Sequence, residues 1–321
     1  MSPPRTHARV IRRLHVVNHR LSSLPGNLRG ILWMLVAGLF FTTMVTLIKL
    51  LGARLHVTEI ILIRQIFMAM IVAPTIVAGL PASLVTRHGH LHALRIACAS
   101  VAMFAGFTAV VHLPLADATA LSFSKTFFVT IFAILFLGET VGRHRWLATI
   151  AGFIGVLVIL RPDAGSGIDI YAGLAVAGAA AAAVVMILIR KLSQFERPVT
   201  ILTYQAVFVG VIMLPFAIAN WKTPTPTEWG LLVIAGFVSW AGQMCNIRAF
   251  RAGEASAIAA FDYVRLLYAT AIGFLLFSDL PGLHTLAGAT LIVAAALYTA
   301  WREAYLGKKV TAQSGLRSDP P

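Results

Sequence analysis

Charge is scarce in this chain. Only 12% of its 321 residues are Asp, Glu, Lys or Arg, about half the fraction a soluble domain carries. That excludes an ordinary water-soluble globular protein and a highly charged disordered chain. There are two cysteines, Cys98 and Cys245, each inside an apolar run. They make no disulfide framework and no metal-ligand spacing. No glycine-rich loop ends in Lys-Ser or Lys-Thr, so nothing cradles a nucleotide phosphate for direct ATP coupling. HExxH, a Ser-centred nucleophile elbow and a membrane acidic pair are all missing. His112 and His284 stand alone at opposite helix ends. We therefore expect no catalytic residue, no metal and no cofactor. The formal charge is +14, yet no soluble segment shows a basic face with interleaved aromatics, so no nucleic-acid partner is expected.

What is abundant is apolar sequence. Hydrophobic residues make up 59% of the chain and the mean hydropathy is +0.84, which indicates an all-α protein embedded in membrane lipid. Ten runs approach the roughly 20 apolar residues that a bilayer requires. They are spans 1 to 10, at 30–51, 58–80, 93–113, 118–137, 145–161, 171–190, 199–219, 228–250, 256–277 and 283–301. A strand reading fails because the runs are too long and lack period-2 alternation. The first run is longer than a signal-peptide core and has no evident small-x-small cleavage site, so it reads as span 1. Residues 1–29 form a basic tail and 302–321 a polar one. Counting Lys and Arg in tails and short loops puts nineteen on one side and four on the other. By the positive-inside rule both termini are cytoplasmic.

Internal repetition is visible in the rare residue types. At an offset of 141, Lys49 meets Arg190, Arg64 meets Gln205 and Pro74 meets Pro215. At an offset of 140, Lys125 meets Arg265, Glu139 meets Asp279 and His144 meets His284. The repeats are 30–161 and 171–301. Five spans per repeat is an odd number, so the second repeat enters the membrane upside down. Inverted five-helix repeats are a property of many secondary transporters, whose site lies between the repeats near the midplane.

Charges in the middle of spans are the next signal, because each is costly to insert. Lys125 and Arg265 occupy matching positions of spans 4 and 9, where two cations would attract an anionic or zwitterionic solute. Asp262 shares a helix face with Arg265. The alternative is a structural Asp–Arg clasp beside a snorkelling lysine. Arg64 lies about 9 Å from the end of span 2, so it could serve the site or snorkel to the interface. Lys49 reads as an interfacial anchor or as the lining of an outward vestibule. Phe123 and Tyr263 add aromatic surface, and Gln243 and Asn246, three residues apart on span 8, add amides that need partners. The expected substrate-binding set is thus Lys125, Arg265, Arg64, Asp262, Phe123, Tyr263, Gln243 and Asn246. Glu139 and Asp279 end spans 4 and 9 and read as caps or hinges. The small-residue run Gly173–Ala183 in span 6 suggests close helix packing. Pro74 and Pro215 are expected to bend spans 2 and 7. Spans 5 and 10 hold little that is polar and belong at the periphery or in a homodimer contact.

Each repeat closes with a Phe-Leu-Gly-Glu or Phe-Ser-Asp turn (136–139 and 277–279) into a glycine-containing last helix. With the segment Leu113-Pro114-Leu115-Ala116-Asp117-Ala118-Thr119-Ala120-Leu121 and the Arg64 position, the chain resembles the EamA family of the drug/metabolite transporter superfamily over residues 28–303. It looks most like bacterial members that carry S-adenosylmethionine, riboflavin or amino acids. The resemblance implies a bacterial inner-membrane protein with a central cavity lined by both repeats and spans 5 and 10 outside it. The expected function is secondary-active transport of a small metabolite by alternating access. A lipid-modifying membrane enzyme and a structural subunit of a membrane complex are the alternatives.

Overall fold

The structure is a computed structural model, and it describes residues 26–78, 86, 88–137, 143–160, 169–192, 195–196, 198–252 and 260–315. Among these residues there are eleven α-helices and one 3-10 helix, with no strand. The helices are α1 (Gly26–Gly52), α2 (Val57–Ala78), α3 (Gly89–His112), α4 (Leu115–Ser122), α5 (Lys125–Leu137) and α6 (Arg143–Leu160). They continue with α7 (Ile170–Leu192), α8 (Pro198–Ala219), α9 (Pro226–Ala252), α10 (Val264–Phe277) and α11 (Leu283–Gly315). The 3-10 helix, Ala260–Tyr263, directly precedes α10.

Five stretches are long and apolar enough to cross a membrane: 28–52, 89–112, 115–132, 170–189 and 226–249. Shorter apolar helices cover 146–160, 203–219 and 283–295. Spans 4 and 9, read from the sequence as single helices, are each divided, which is a correction developed below. The polar tail expected from residue 302 continues α11 as helix to Gly315. Pro74 and Pro215 lie inside α2 and α8, and both helices run on past them.

Local chemistry sets several helix ends. Thr225-Pro226-Thr227-Glu228 is a capping box with proline at the first helical position. The Glu228 carboxylate accepts the Thr225 N–H at 2.7 Å, and the Thr225 hydroxyl accepts the Glu228 N–H at 3.3 Å. α10 stops in a Schellman turn, with Ser278 left-handed at φ 55°. Ser278 N–H donates to Phe274 O and Asp279 N–H to Gly273 O, both at 3.1 Å. A non-glycine residue in that conformation costs roughly 1–2 kcal/mol, so the turn must gain elsewhere.

The packing obeys the repeat. α1 packs along α9, and its counterpart pair is α7 along α3. α5 meets α7 as α10 meets α1, and α3 meets α8 as α9 meets α2. The pairs α2–α8 and α6–α11 map onto themselves. A two-fold relation between the halves produces this exchange of partners.

Small residues set the closest approaches. A Cβ on Gly178 of α7 would lie 3.0 Å from Gly106 N of α3, which is the tight contact that the small-residue run foretold. α6 and α11 cross where a Cβ on Gly155 would lie 2.7 Å from Gly288 O, and one on Gly288 2.5 Å from Gly155 O. Large apolar side chains such as Leu147, Ile150 and Phe153 on α6, and Val211 and Phe216 on α8, point outward. Such a surface suits lipid rather than water.

Candidate functional site

The chain winds more tightly at two places related by the 140-residue offset. In the first half, the N–H groups of Phe123, Ser124, Thr126 and Phe127 donate to carbonyls three residues back, at 3.0–3.1 Å. In the second half, the 3-10 helix at Ala260–Tyr263 occupies the equivalent place. Lys125 opens α5 and Arg265 is the second residue of α10. Each cation therefore sits just past a 3-10 winding. Mid-helix 3-10 turns often mark functional hinges.

The two windings touch. The rings of Phe123 and Tyr263 stand 4.8 Å apart, and the hydroxyls of Tyr263 and Thr126 are hydrogen-bonded. The Arg265 guanidinium lies 5.2 Å from the Phe41 ring and 5.9 Å from Phe123. Its Nη1 reaches Asp262 Oδ2 at only 3.5 Å, and its buried Nε has no partner among the described residues. Gly38 on α1 makes room for it, since a Cβ there would stand 3.2 Å from Arg265 Cγ. Lys125 is half-buried and feels the charges of both Asp262 and Arg265, yet it makes no hydrogen bond or contact ion pair among the described residues. Ser124 beside it is 1% exposed, with a hydroxyl that has no partner among the described residues. Five of the eight expected residues thus gather here or border it: Lys125, Arg265, Asp262, Phe123 and Tyr263.

Arg64 does not snorkel. It is 5% exposed, with Nη2 donating to Gln65 Oε1 at 3.1 Å and to Met103 Sδ at 3.3 Å. Nη1 meets Met44 Sδ at 3.5 Å, and the group lies 5.1 Å from the Phe107 ring. No carboxylate pairs with it among the described residues. Met44 is one helical turn from Phe41 on α1, so Arg64 and Arg265 contact neighbouring turns of the same helix. Gln243 and Asn246 stand half-buried on α9, which packs on α1, and no hydrogen bond among the described residues ties them to Lys125 or Arg265.

Two further polar clusters join the halves. At one end Lys49 Nζ donates to Leu113 O at 2.6 Å and to Asp279 Oδ2 at 3.1 Å, so Lys49 is more than a lipid anchor and Asp279 more than a cap. Glu139 lies outside the described residues. At the same end Arg54 Nε donates to Glu228 Oε1 at 2.6 Å, and His112 stacks on Tyr171 at 3.9 Å.

At the other end stands a cluster that sequence reasoning missed. Arg95, counted from the sequence as a loop cation, is wholly buried. It donates to Ile201 O at 3.0 Å and to Gln205 Oε1 at 2.5 Å. One turn earlier, His92 Nε2 lies 2.6 Å from Glu196 Oε2, and its ring stacks on Tyr204 at 4.3 Å. The Thr86 hydroxyl also donates to Glu196. The signal available was a His-x-x-x-His-x-x-Arg run (88–95) on one α3 face, facing an acidic residue in a short loop.

Burial pushes the Glu196 carboxyl up, but hydrogen bonds from Thr86 and His92 outweigh it and leave Glu196 below its ordinary 4.5. A carboxylate depressed on folding stabilises the protein above its unfolded value, and that contribution disappears as pH falls through the folded one. The melting temperature of the purified protein is therefore expected to drop as pH goes below about 4.5, and Glu196→Gln to flatten that acid-dependent fall. An unchanged acid profile in the variant would refute the assignment.

Comparison with known proteins adds the following. The EamA-like transporter family model matches twice, at residues 28–161 and 169–301. The pseudopaline exporter CntI of Pseudomonas aeruginosa (strain UCBPP-PA14) is 32% identical over 84% of this chain and 94% of its own. The S-adenosylmethionine uptake transporter of Rickettsia bellii (strain RML369-C) is 30% identical over 85% and 94%. The riboflavin transporter of Vibrio cholerae (serotype O1, El Tor Inaba N16961) is 30% identical, again over 85% and 94%. A solved crystal structure superposes with a TM-score of 0.58 at 17% identity, covering 86% of this chain and 98% of that one, which supports the fold.

Proposed function

This chain belongs to the EamA-like transporter family, and from that premise we propose that it moves one small metabolite by alternating access around the paired windings. Its relatives are named as transporters of small molecules rather than as enzymes. It is a multi-pass bacterial membrane protein. The finer reading has ten spans in two inverted repeats, 30–161 and 171–301, lying in the inner membrane with both tails cytoplasmic. The solute is zwitterionic, anionic or aromatic, in the range of riboflavin, S-adenosylmethionine or an amino-acid derivative.

The observation that carries this reading is the register of the two windings. Each delivers a cation to the contact between the halves, and Lys125 makes no hydrogen bond or contact ion pair there among the described residues. Polar clusters join the halves at both ends, Lys49–Asp279 at one and Glu196–His92–Arg95 at the other. If one cluster opens while the other holds, the centre faces a single side at a time. The lipid-enzyme and structural-subunit alternatives predict no solute movement.

The test is uptake into proteoliposomes of radiolabelled riboflavin, S-adenosylmethionine and amino acids. It is paired with membrane-impermeant labelling of single cysteines near Lys125, in protein whose Cys98 and Cys245 are replaced. We expect accumulation of a solute that protects those cysteines, with reagent access from both faces. Tails labelled on different faces, or access from one face only, would sink the alternating-access reading.

A further inference from the structure

We propose that the transported solute carries a carboxylate, and that Lys125 and Ser124 hold it. This rests on the transporter reading above and names the chemistry that the same centre selects. The first argument is charge. Around the contact between the halves lie Lys125 and Arg265, with Arg64 against the next turn of α1, and one described carboxylate at the contact, Asp262. Buried cations in lipid need compensation. Asp262 makes its contact ion pair with Arg265, at 3.5 Å, and the Lys125 ammonium, though it feels that charge, has no contact ion pair among the described residues.

The second argument is the hydroxyl. Ser124 is 1% exposed and its Oγ has no partner among the described residues, although a helical serine can usually turn back to a carbonyl of the preceding turn. Its hydroxyl and the Lys125 ammonium are consecutive donors at the start of α5, the end of a helix that favours an anion. Neither donor has an acceptor among the described residues, so between them they can supply the two hydrogen bonds that one carboxylate accepts.

The backbone argues against phosphate. A phosphate site at a helix start uses free amide N–H groups. Here the amides of Phe123, Ser124, Thr126 and Phe127 are consumed by carbonyls three residues back. The winding therefore offers side-chain donors and no amide cradle. Arg265, already spread between Asp262 and the rings of Phe41 and Phe123, positions Phe123 rather than taking the anion itself.

The experiment uses full-length protein in proteoliposomes, a bacterial metabolite extract, and the same extract after methyl esterification of its carboxyl groups. Accumulated solutes are identified by mass spectrometry. We expect every solute accumulated from the native extract to carry a carboxylate, and its ester to be neither carried nor inhibitory. Lys125→Met should lower uptake at least tenfold, Lys125→Arg should retain part of it, and Ser124→Ala should raise KM about three- to tenfold while leaving thermal unfolding unchanged. Ser124→Ala, which removes one buried hydroxyl, keeps the proposal testable should Lys125→Met fail to fold. Solutes without a carboxylate, or with phosphate as their only anion, overturn the proposal. So does equal transport of the esters, or wild-type kinetics in Ser124→Ala. If the wild-type protein accumulates nothing, it is the transporter reading that falls.

Discussion

Arg265→Ala is expected to reduce initial uptake by at least tenfold per folded molecule, which corresponds to about 1.4 kcal/mol or more. Arg265→Lys should restore little of it. The guanidinium is planar and lies against two rings, at 5.2 and 5.9 Å, while reaching Asp262. An ammonium cannot reproduce that flat stacking. The experiment also decides between site and clasp. If Asp262 and Arg265 only brace the fold, either alanine variant lowers the melting temperature while uptake per folded molecule stays at the wild-type level. If they shape a site, uptake collapses while melting hardly moves. Proteoliposome rates normalised to folded protein, with thermal unfolding in parallel, separate the two.

Arg64→Met is expected to do something less intuitive, raising thermal stability while abolishing most transport. Arg64 is 5% exposed and meets two thioethers, one amide and a phenyl face. A charge held without a counter-ion costs stability, and replacing buried ionic groups by apolar ones of similar size has gained roughly 1–4 kcal/mol elsewhere. Methionine matches its surroundings of Met44 and Met103. A melting temperature raised by several degrees with uptake down at least tenfold is the expected result. Loss of both stability and uptake would make Arg64 a structural strut.

The sequence already carried the all-α membrane class and the family domain present twice, because insertion into lipid imposes long apolar runs and makes each interior charge conspicuous. Lys125 and Arg265 could be matched across 140 residues for that reason. The winding that precedes each was not legible. Neither Leu121-Ser122-Phe123-Ser124 nor Ala260-Phe261-Asp262-Tyr263 contains the proline or glycine that usually marks a break. The serines and the aspartate, which compete for backbone hydrogen bonds, were the faint trace. Arg64 stayed open between site and interface because distance from a helix end says how far a side chain can reach, not whether neighbours cover it. Arg95 and His92 were lost for the opposite reason. A charge near the end of a span counts as topology until the partner helix is known, and that partner, α8 with the Glu196 loop, lies more than a hundred residues away.

The tight windings also store displacement. A 3-10 segment rises about 2.0 Å per residue with 3.0 residues per turn, against 1.5 Å and 3.6 in an α-helix. Relaxing four residues into α geometry would draw the following helix back by about 2 Å and rotate it by roughly 80°. Lys125 and Arg265 stand immediately downstream, so each side chain would turn with the helix it begins. A single turn of backbone would then act as a crank, and its two copies, set at the same place in each half, could be thrown one at a time.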